Sequence, residues 1–232
     1  MFGLFNEHGP FIITSDLNVL KRSTAWSMTH HLLYIDNPVG TGFSFTKLER
    51  CYAQNEDNVG TDLYDALSQF FTLFPNLKKN DFYVTGESYA GKYVPAIAHT
   101  IHTMNLQAKE KINLKGIAIG DGLCDPETMT DYGDFLFGIG LIDELDRDYF
   151  KQISEMQVKL IQEKKWAEVS TYFFEFNFCI AISIYIDFSN DSSNSKNCVD
   201  WKVRILKFVD FCPCGLHELC LLYVFLQMLL IN

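Results

Sequence analysis

The segment around Ser88 constrains the fold of this 232-residue chain more than any other feature of its sequence. Residues 82–85 (FYVT) predict a short strand, the motif GESYAG follows at 86–91, and the next apolar residues recur at helical spacing. A strand, a Gly-x-Ser-x-small motif and a helix together are typical of a nucleophile elbow, whose sharp turn exposes a serine hydroxyl. We therefore predict that Ser88 is a nucleophile and that a helix begins at this serine, directing its free amides towards a developing oxyanion. The simpler alternative is an ordinary turn in which Ser88 only caps the helix.

Two further apolar runs indicate the architecture around this motif. Residues 32–36 and 115–120 predict strands, because both runs are short, apolar and closed by Gly, Asn or Pro. Strands separated by helices of this length predict the α/β class, with a parallel-rich central sheet and helices on both faces. Residues 146–166 predict one more amphipathic helix, outside the central sheet.

The segment 57–74 predicts a helix with one apolar face. We expect Asp57 or Asn58 to cap it and Pro75 to stop it. The residues predicted to share the buried face are Val59, Leu63, Ala66, Leu67, Phe70, Phe71 and Phe74.

The chain changes character near residue 170. We predict a partial α/β domain over residues 1–169 and an apolar, Cys-rich tail of unknown structure over 170–232. Neither helical period nor strand alternation is clean in this tail, so no role in the sheet is assigned to it. Its last apolar run, residues 219–231, is shorter than the ~20 residues that a membrane helix needs, so no membrane span is expected.

Charge and cysteine usage exclude some classes of function. The net charge of −10 and the pI near 5.0 disfavour a nucleic-acid partner. The seven cysteines are an odd number, and Cys212, Cys214 and Cys220 lack the paired spacing of a zinc site, so no metal is expected. The first residues show no basic region followed by an apolar run, so no signal peptide is predicted.

Several motifs stand in the order and spacing of one known family. They are EHGPF at 7–11, NPVGTGFS at 37–44, the helix at 57–74, GESYAGKYVP at 86–95 and GIAIGDG at 116–122. Over about residues 2–169 the chain resembles the serine carboxypeptidases, and most closely their vitellogenic-like branch.

The resemblance implies an incomplete α/β-hydrolase fold and a peptidase that releases C-terminal residues through an acyl-enzyme at Ser88. It also implies that Tyr89 gives a backbone amide to the oxyanion hole, and that Glu7 and Glu87 meet the terminal carboxylate of the substrate. Two adjacent carboxyl groups cannot both ionise cheaply, so one keeps a proton and can donate it to an anion. This pair disfavours another α/β-hydrolase, such as an esterase or lipase. The expected partners are peptides with a free C-terminus, no cofactor is implied, and the family points to the lysosome or secretory pathway.

The general base is the missing part of the prediction. A serine nucleophile in this fold needs an Asp and then a His later in the chain. His99 and His102 lie ~16 to 21 Å along the predicted helix from Ser88, too far to return to it. His217 is the only candidate by order, but it lacks the Gly-His-x-x-Pro surroundings of the family. We therefore expect a truncated family member with little activity, or a protein that binds partners or peptides without catalysis.

Overall fold

The computed structural model describes residues 3–172 in full and residues 226–231 as backbone. The chain divides into two compact units, one comprising Met1–Cys124 with Leu222–Asn232 and the other comprising Asp125–Leu221. Ser88, Glu7 and Glu87 all lie in the first unit.

The strands and helices follow one another in a simple order. In chain order they are β1 (Phe11–Ile13), β2 (Val19–Lys21), β3 (His30–Ile35), α1 (Glu56–Leu73), β4 (Asp81–Glu87), α2 (Ala90–Met104), β5 (Leu114–Gly120), α3 (Pro126–Met129), α4 (Gly133–Gly138), α5 (Glu144–Gln162) and β6 (Leu226–Ile231). The three strands and the three helices predicted from the sequence are all present in some form, with boundaries shifted by a few residues. The structure adds the β1–β2 hairpin, the short helices α3 and α4, and β6.

The central sheet has four strands in the order β3-β6-β4-β5. Strands β4 and β5 are parallel, while β6 is antiparallel to both β3 and β4. Strands β3, β4 and β5 therefore all run in one direction, and their carboxyl ends lie at the same edge of the sheet. The predicted α/β class with a parallel-rich sheet is confirmed.

Strand β6 comes from the segment to which no role in the sheet was assigned. It pairs with β3 from His30 opposite Ile231 to Ile35 opposite Leu226, and it pairs with β4 on its other side. A strand between two others is commonly apolar on both faces, so a search for alternating polar residues misses it. The partner strand also explains why β3 begins two residues earlier than predicted.

Helix α1 begins one residue before the predicted start because its cap is Asn55. The Asn55 carboxamide oxygen accepts a hydrogen bond of 3.0 Å from the Asn58 amide, and Asn55 itself has an extended backbone. The Asn58 side chain in turn accepts from the Gln54 amide at 3.1 Å. The prediction that Asp57 or Asn58 is the cap is therefore wrong. Asn58 instead supports the cap, because its amide binds the Asn55 side chain and its own side chain binds the residue before Asn55.

The buried face of α1 is rotated relative to the predicted face. Gly60 approaches α2 so closely that a Cβ atom there would collide with the Thr100 hydroxyl and lie 3.0 Å from the Ala96 carbonyl oxygen. This close approach buries the side of α1 that carries Gly60 and leaves Ala66 exposed. Phe74 is also exposed, because the helix ends at Leu73.

The core of the first unit joins α1 and α2 to the sheet. Its buried residues are Val59, Leu63, Tyr64, Leu67, Phe71, Phe82, Val84, Ala90, Tyr93, Val94, Ile97, Ile101 and Ile112. Phe82 packs edge-on against Phe71, with ring centroids 5.7 Å apart. This core fixes the end of β4 and the start of α2, which are the two elements that carry the motif around Ser88.

The second unit has a smaller core, formed by Leu136, Ile142 and Phe150. Helix α5 corresponds to the predicted helix at 146–166, but it begins at Glu144 because Asp143 caps it by accepting from the Asp146 amide at 2.9 Å. It ends before Lys164, whose φ of 58° is incompatible with a continuing helix. In the described residues no helix combines the length and apolar character required to cross a membrane.

Candidate active site

Ser88 occupies a strained turn between β4 and α2. Its φ is 56°, a left-handed conformation that non-glycine residues rarely adopt. Its amide donates to the Gly120 carbonyl at 3.0 Å, and its own carbonyl accepts from the Leu123 amide at 2.8 Å and the Gly91 amide at 3.0 Å. Bonds to the end of β5 and to the following loop therefore compensate for the strain, which is a device found at functional turns.

The small residues of the motif allow this turn to pack tightly. A Cβ atom on Gly91 would lie 2.7 Å from the Leu123 nitrogen and 2.9 Å from the Gly122 carbonyl carbon. Ala90, where glycine is common in such motifs, is fully buried. A larger side chain at Gly91 would push the loop after β5 away from Ser88, and a larger one at Ala90 would overpack the core of this unit.

Helix α2 begins at Ala90 and not at Ser88 as expected. The left-handed backbone of Ser88 cannot be part of a right-handed helix, so the helix starts two residues later. The N-cap residue is Tyr89, and its side chain makes no capping hydrogen bond. The alternative in which Ser88 caps the helix is therefore not what the structure shows.

Tyr89 lies directly beside the turn, with its ring against the Tyr93 ring at a centroid distance of 5.1 Å. Burial raises the pKa of the Tyr89 hydroxyl, and the nearby Glu56 carboxylate raises it further. The phenol consequently stays neutral, and the side chain serves as a packing element. A role in an oxyanion hole concerns only the Tyr89 backbone amide.

The structure brings Glu7 and Glu87 together. Glu87 is the last residue of β4, and Glu7 ends a single π-helical turn, Gly3–Glu7. Burial, a hydrogen bond with the Glu87 side chain and the charge of Glu87 raise the pKa of Glu7 to about 7. A Glu7 carboxyl group with this raised pKa keeps its proton below neutral pH, as expected for an acid buried beside another acid.

Three ring-bearing residues form a stack next to Glu7, and sequence reasoning did not single them out. The His8 ring stacks on Trp26 with centroids 4.3 Å apart and on Tyr34 with centroids 5.8 Å apart. His8 Nδ1 lies 3.1 Å from the Tyr34 hydroxyl, and its Nε2 lies 3.9 Å from Glu7 Oε2. Burial and the Glu7 charge raise the pKa of Tyr34 to about 12. The sequence feature that could have pointed to this stack is the position of His8 within the EHGP motif.

The candidate bases are separated from Ser88. His99 and His102 lie on α2 with exposed side chains, as expected. Within residues 3–172, no histidine forms a hydrogen bond with the Ser88 hydroxyl. His217 lies outside the described residues, as do Cys212, Cys214 and Cys220. Cys51 and Cys124 are free and exposed.

The sheet, the strained serine turn and the helix that follows it define the α/β-hydrolase class, to which the solved structure described below also belongs. The family model for serine carboxypeptidases matches residues 1–208. This chain belongs to the serine carboxypeptidase family. The match extends beyond the motifs at 2–169 into the predicted tail.

Individual relatives agree with this assignment. The chain is 56% identical over 175 residues to a venom serine carboxypeptidase of Apis mellifera, covering 75% of this chain and 38% of that protein. It is 60% identical over 167 residues to the probable serine carboxypeptidase CPVL of Mus musculus, covering 72% and 35% respectively. It is 48% identical over 164 residues to a vitellogenic carboxypeptidase of Aedes aegypti, covering 71% and 34%. The chain therefore spans little more than a third of the length of the curated relatives it matches.

A solved structure gives the same result for the fold. The prohormone-processing carboxypeptidase Kex1(delta)p of Saccharomyces cerevisiae is similar with a TM-score of 0.60 and 32% identity. The similarity covers 70% of this chain and 36% of that one. The expected α/β-hydrolase fold, present here in part, is confirmed.

Proposed function

We propose that the protein is a serine-type carboxypeptidase that releases C-terminal residues from peptides through an acyl-enzyme at Ser88. The observation that carries this proposal is the juxtaposition of the strained Ser88 turn with the Glu7–Glu87 pair at the end of β4. A nucleophile alone would suit any acyl transfer. The adjacent pair of acids adds a reason to select peptides that end in a free carboxylate.

The carboxyl pair recognises the end of the substrate by sharing its proton. With one proton between them, Glu7 and Glu87 present a hydrogen-bond donor to the substrate carboxylate and limit the charge repulsion against it. The peptide bond before the last residue would then lie close to Ser88, because Glu87 and Ser88 are neighbours in the chain. Tyr89 would donate its backbone amide to the oxyanion, and the strained turn would expose the hydroxyl to the carbonyl carbon.

Catalysis also requires a base that is oriented towards the Ser88 hydroxyl. We propose that this chain lacks a working Asp and His for Ser88 and turns peptides over slowly or not at all. The absence of a hydrogen bond from Ser88 to any histidine within residues 3–172 supports this. The same observation favours a second candidate function, a pseudo-enzyme or fragment that binds peptides or partners at the same site without cleaving them.

Labelling with a fluorophosphonate probe separates the two candidates, because the probe reacts with an activated serine. We expect weak or no labelling of the purified chain and little hydrolysis of an N-acylated dipeptide. Labelling and hydrolysis that are both lost in Ser88→Ala would establish the peptidase and contradict the second candidate. Hydrolysis that persists in Ser88→Ala would reject Ser88 as the nucleophile.

We propose peptides with a free C-terminus as the substrates and the lysosome or secretory pathway as the location. Supporting the location, one relative of this chain is named a venom serine carboxypeptidase. Fractionation of cells that express the native gene, probed with an antibody to residues 3–172, would test it. Recovery in the nuclear or cytosolic fraction alone would contradict the proposal.

A further inference from the structure

Arg22 binds the segment that carries Glu7 from both sides. Its Nη2 donates to the Phe5 carbonyl at 2.8 Å, and its Nε donates to the Gly9 carbonyl at 3.0 Å. A longer bond of 3.4 Å joins the same Nη2 to the Phe11 carbonyl. The guanidinium therefore bridges carbonyl groups that lie before and after Glu7 in the chain.

Backbone hydrogen bonds extend this attachment on either side of the Arg22 side chain. The Arg22 amide donates to the Pro10 carbonyl at 2.7 Å, which continues the β1–β2 ladder by one step. The Trp26 amide donates to the His8 carbonyl at 3.1 Å. Residues 22–26 thus lie alongside the EHGP motif, and the Arg22 fork holds the turn at which Glu7 is placed.

The chemistry of these contacts favours a positioning role for Arg22. In the described part of the chain its hydrogen bonds all go to carbonyl oxygens, so it neutralises no carboxylate through them. Arginine has a planar fork with fixed donor directions, which lysine lacks. A fork attached at Phe5 and Gly9 restricts how far the backbone of Glu7 can move, and the hydrogen bond between Glu7 and Glu87 depends on that position.

We infer that Arg22 is a positioning residue that sets Glu7 against Glu87 and so determines selectivity for a free C-terminal carboxylate. The part of this inference that concerns substrate selectivity rests on the proposed function. The part that concerns the position of Glu7 does not. Arg22 does not touch the substrate in this account. It acts through the backbone on both sides of Glu7.

The test compares Arg22→Gln and Arg22→Lys with Lys21→Gln, each in a Ser88→Ala background so that no peptide is consumed. Lys21 is the matched control, because it is the neighbouring cation in the chain and its side chain is exposed. Calorimetry at about pH 5.5 measures binding of an N-acylated dipeptide as the free acid and as the amide. Carbon-13 NMR titration of the Glu7 carboxyl measures its pKa in the same proteins.

We expect Arg22→Gln to lower the ratio of acid to amide affinity about tenfold, since a donor misplaced by an ångström is largely lost. Amide affinity should not change, Arg22→Lys should fall between, and Lys21→Gln should match the parent protein. The pKa of Glu7 should fall towards its ordinary value as the pair separates. If Arg22 acted only as a nearby cation, its removal would raise that pKa, and the inference would be wrong.

The two measurements keep this inference separate from the proposed function. If the Ser88→Ala parent itself shows no preference for the acid, the proposed substrate is wrong, while the Glu7 titration still decides the role of Arg22. If Arg22→Gln does not fold, Arg22→Lys decides alone. An unchanged affinity ratio together with an unchanged Glu7 pKa in Arg22→Lys would overturn the inference.

Discussion

The pH dependence of substrate binding follows from the raised pKa of Glu7, and Glu7→Gln is the perturbation that exposes it. With a pKa of about 7, Glu7 is about half protonated at about pH 7 and about 1% protonated at about pH 9. Binding of a free-acid peptide that needs this proton should therefore weaken roughly 50-fold over that interval. A glutamine does not titrate, so the affinity of the variant should stay nearly constant.

Calorimetric titration of an N-acylated dipeptide into the Ser88→Ala protein, at steps of about one pH unit, measures this effect. Glu49→Gln is the control, because it makes the same substitution at an exposed site away from the pair. The control should keep the full decline in affinity. The reasoning would be refuted if the parent protein bound the acid equally well at both ends of the interval, or if Glu7→Gln declined as steeply as the parent.

Four further predictions concern stability, each measured as the free energy of unfolding in urea. Asn55→Ala removes the cap of α1 and should cost about 1 kcal/mol; a change below about 0.3 kcal/mol would show that Asn55 is not the effective cap. Gly60→Ala should destabilise by about 1 to 3 kcal/mol, because the new methyl group meets Thr100. An equally stable variant would show that α1 and α2 can separate without cost. Leu67→Ala removes a fully buried core side chain and should cost about 2 to 5 kcal/mol, and a cost near zero would mean that α1 does not pack as described. Because the folded pKa of Glu7 lies above its unfolded value of 4.5, its stabilising contribution is complete below that value and is lost as the pH rises towards about 7. Glu7→Gln should abolish that loss, and a parent protein equally stable at both ends of this range would contradict the prediction.

The sequence predicted the elements around Ser88 well, because their signals are local. Strand β4 is an apolar run, α2 has a clear helical period, and the glycines between them mark the turn. The strained backbone of Ser88 could be expected from the motif, but the two-residue delay in the start of α2 could not. That delay comes from the left-handed φ of Ser88, which ends the strand geometry without beginning a helix.

Features that depend on distant parts of the chain were predicted less well. The buried face of α1 is set by its contact with α2 at Gly60, and periodicity alone gave Ala66 instead. Strand β6 joins the sheet about 140 residues after β4, and its composition carried no alternation. The contacts of the Arg22 guanidinium could not be predicted for the same reason. Nothing in the sequence links an arginine at the end of a hairpin to the carbonyl groups of residues 5–11.

The Glu7–Glu87 pair illustrates how a resemblance and a structure complement each other. The motifs alone implied that these acids meet, although 80 residues separate them in the chain. In the structure the two acids lie together, and burial together with the Glu87 carboxyl group raises the pKa of Glu7 to about 7. Beside Glu7, the His8 ring stacks between Trp26 and Tyr34, and His8 Nε2 lies 3.9 Å from Glu7 Oε2.

The most direct test of the account compares one peptide in two forms, as the free acid and as the C-terminal amide. Equilibrium binding of both to the Ser88→Ala protein at about pH 5.5 isolates the contribution of the terminal carboxylate. The account predicts that the acid binds at least about tenfold more tightly, as one good hydrogen bond to a charged group allows, and that Glu87→Gln reduces this preference. Equal affinities for the acid and the amide would contradict the assignment of Glu7 and Glu87 as the site for a free C-terminus.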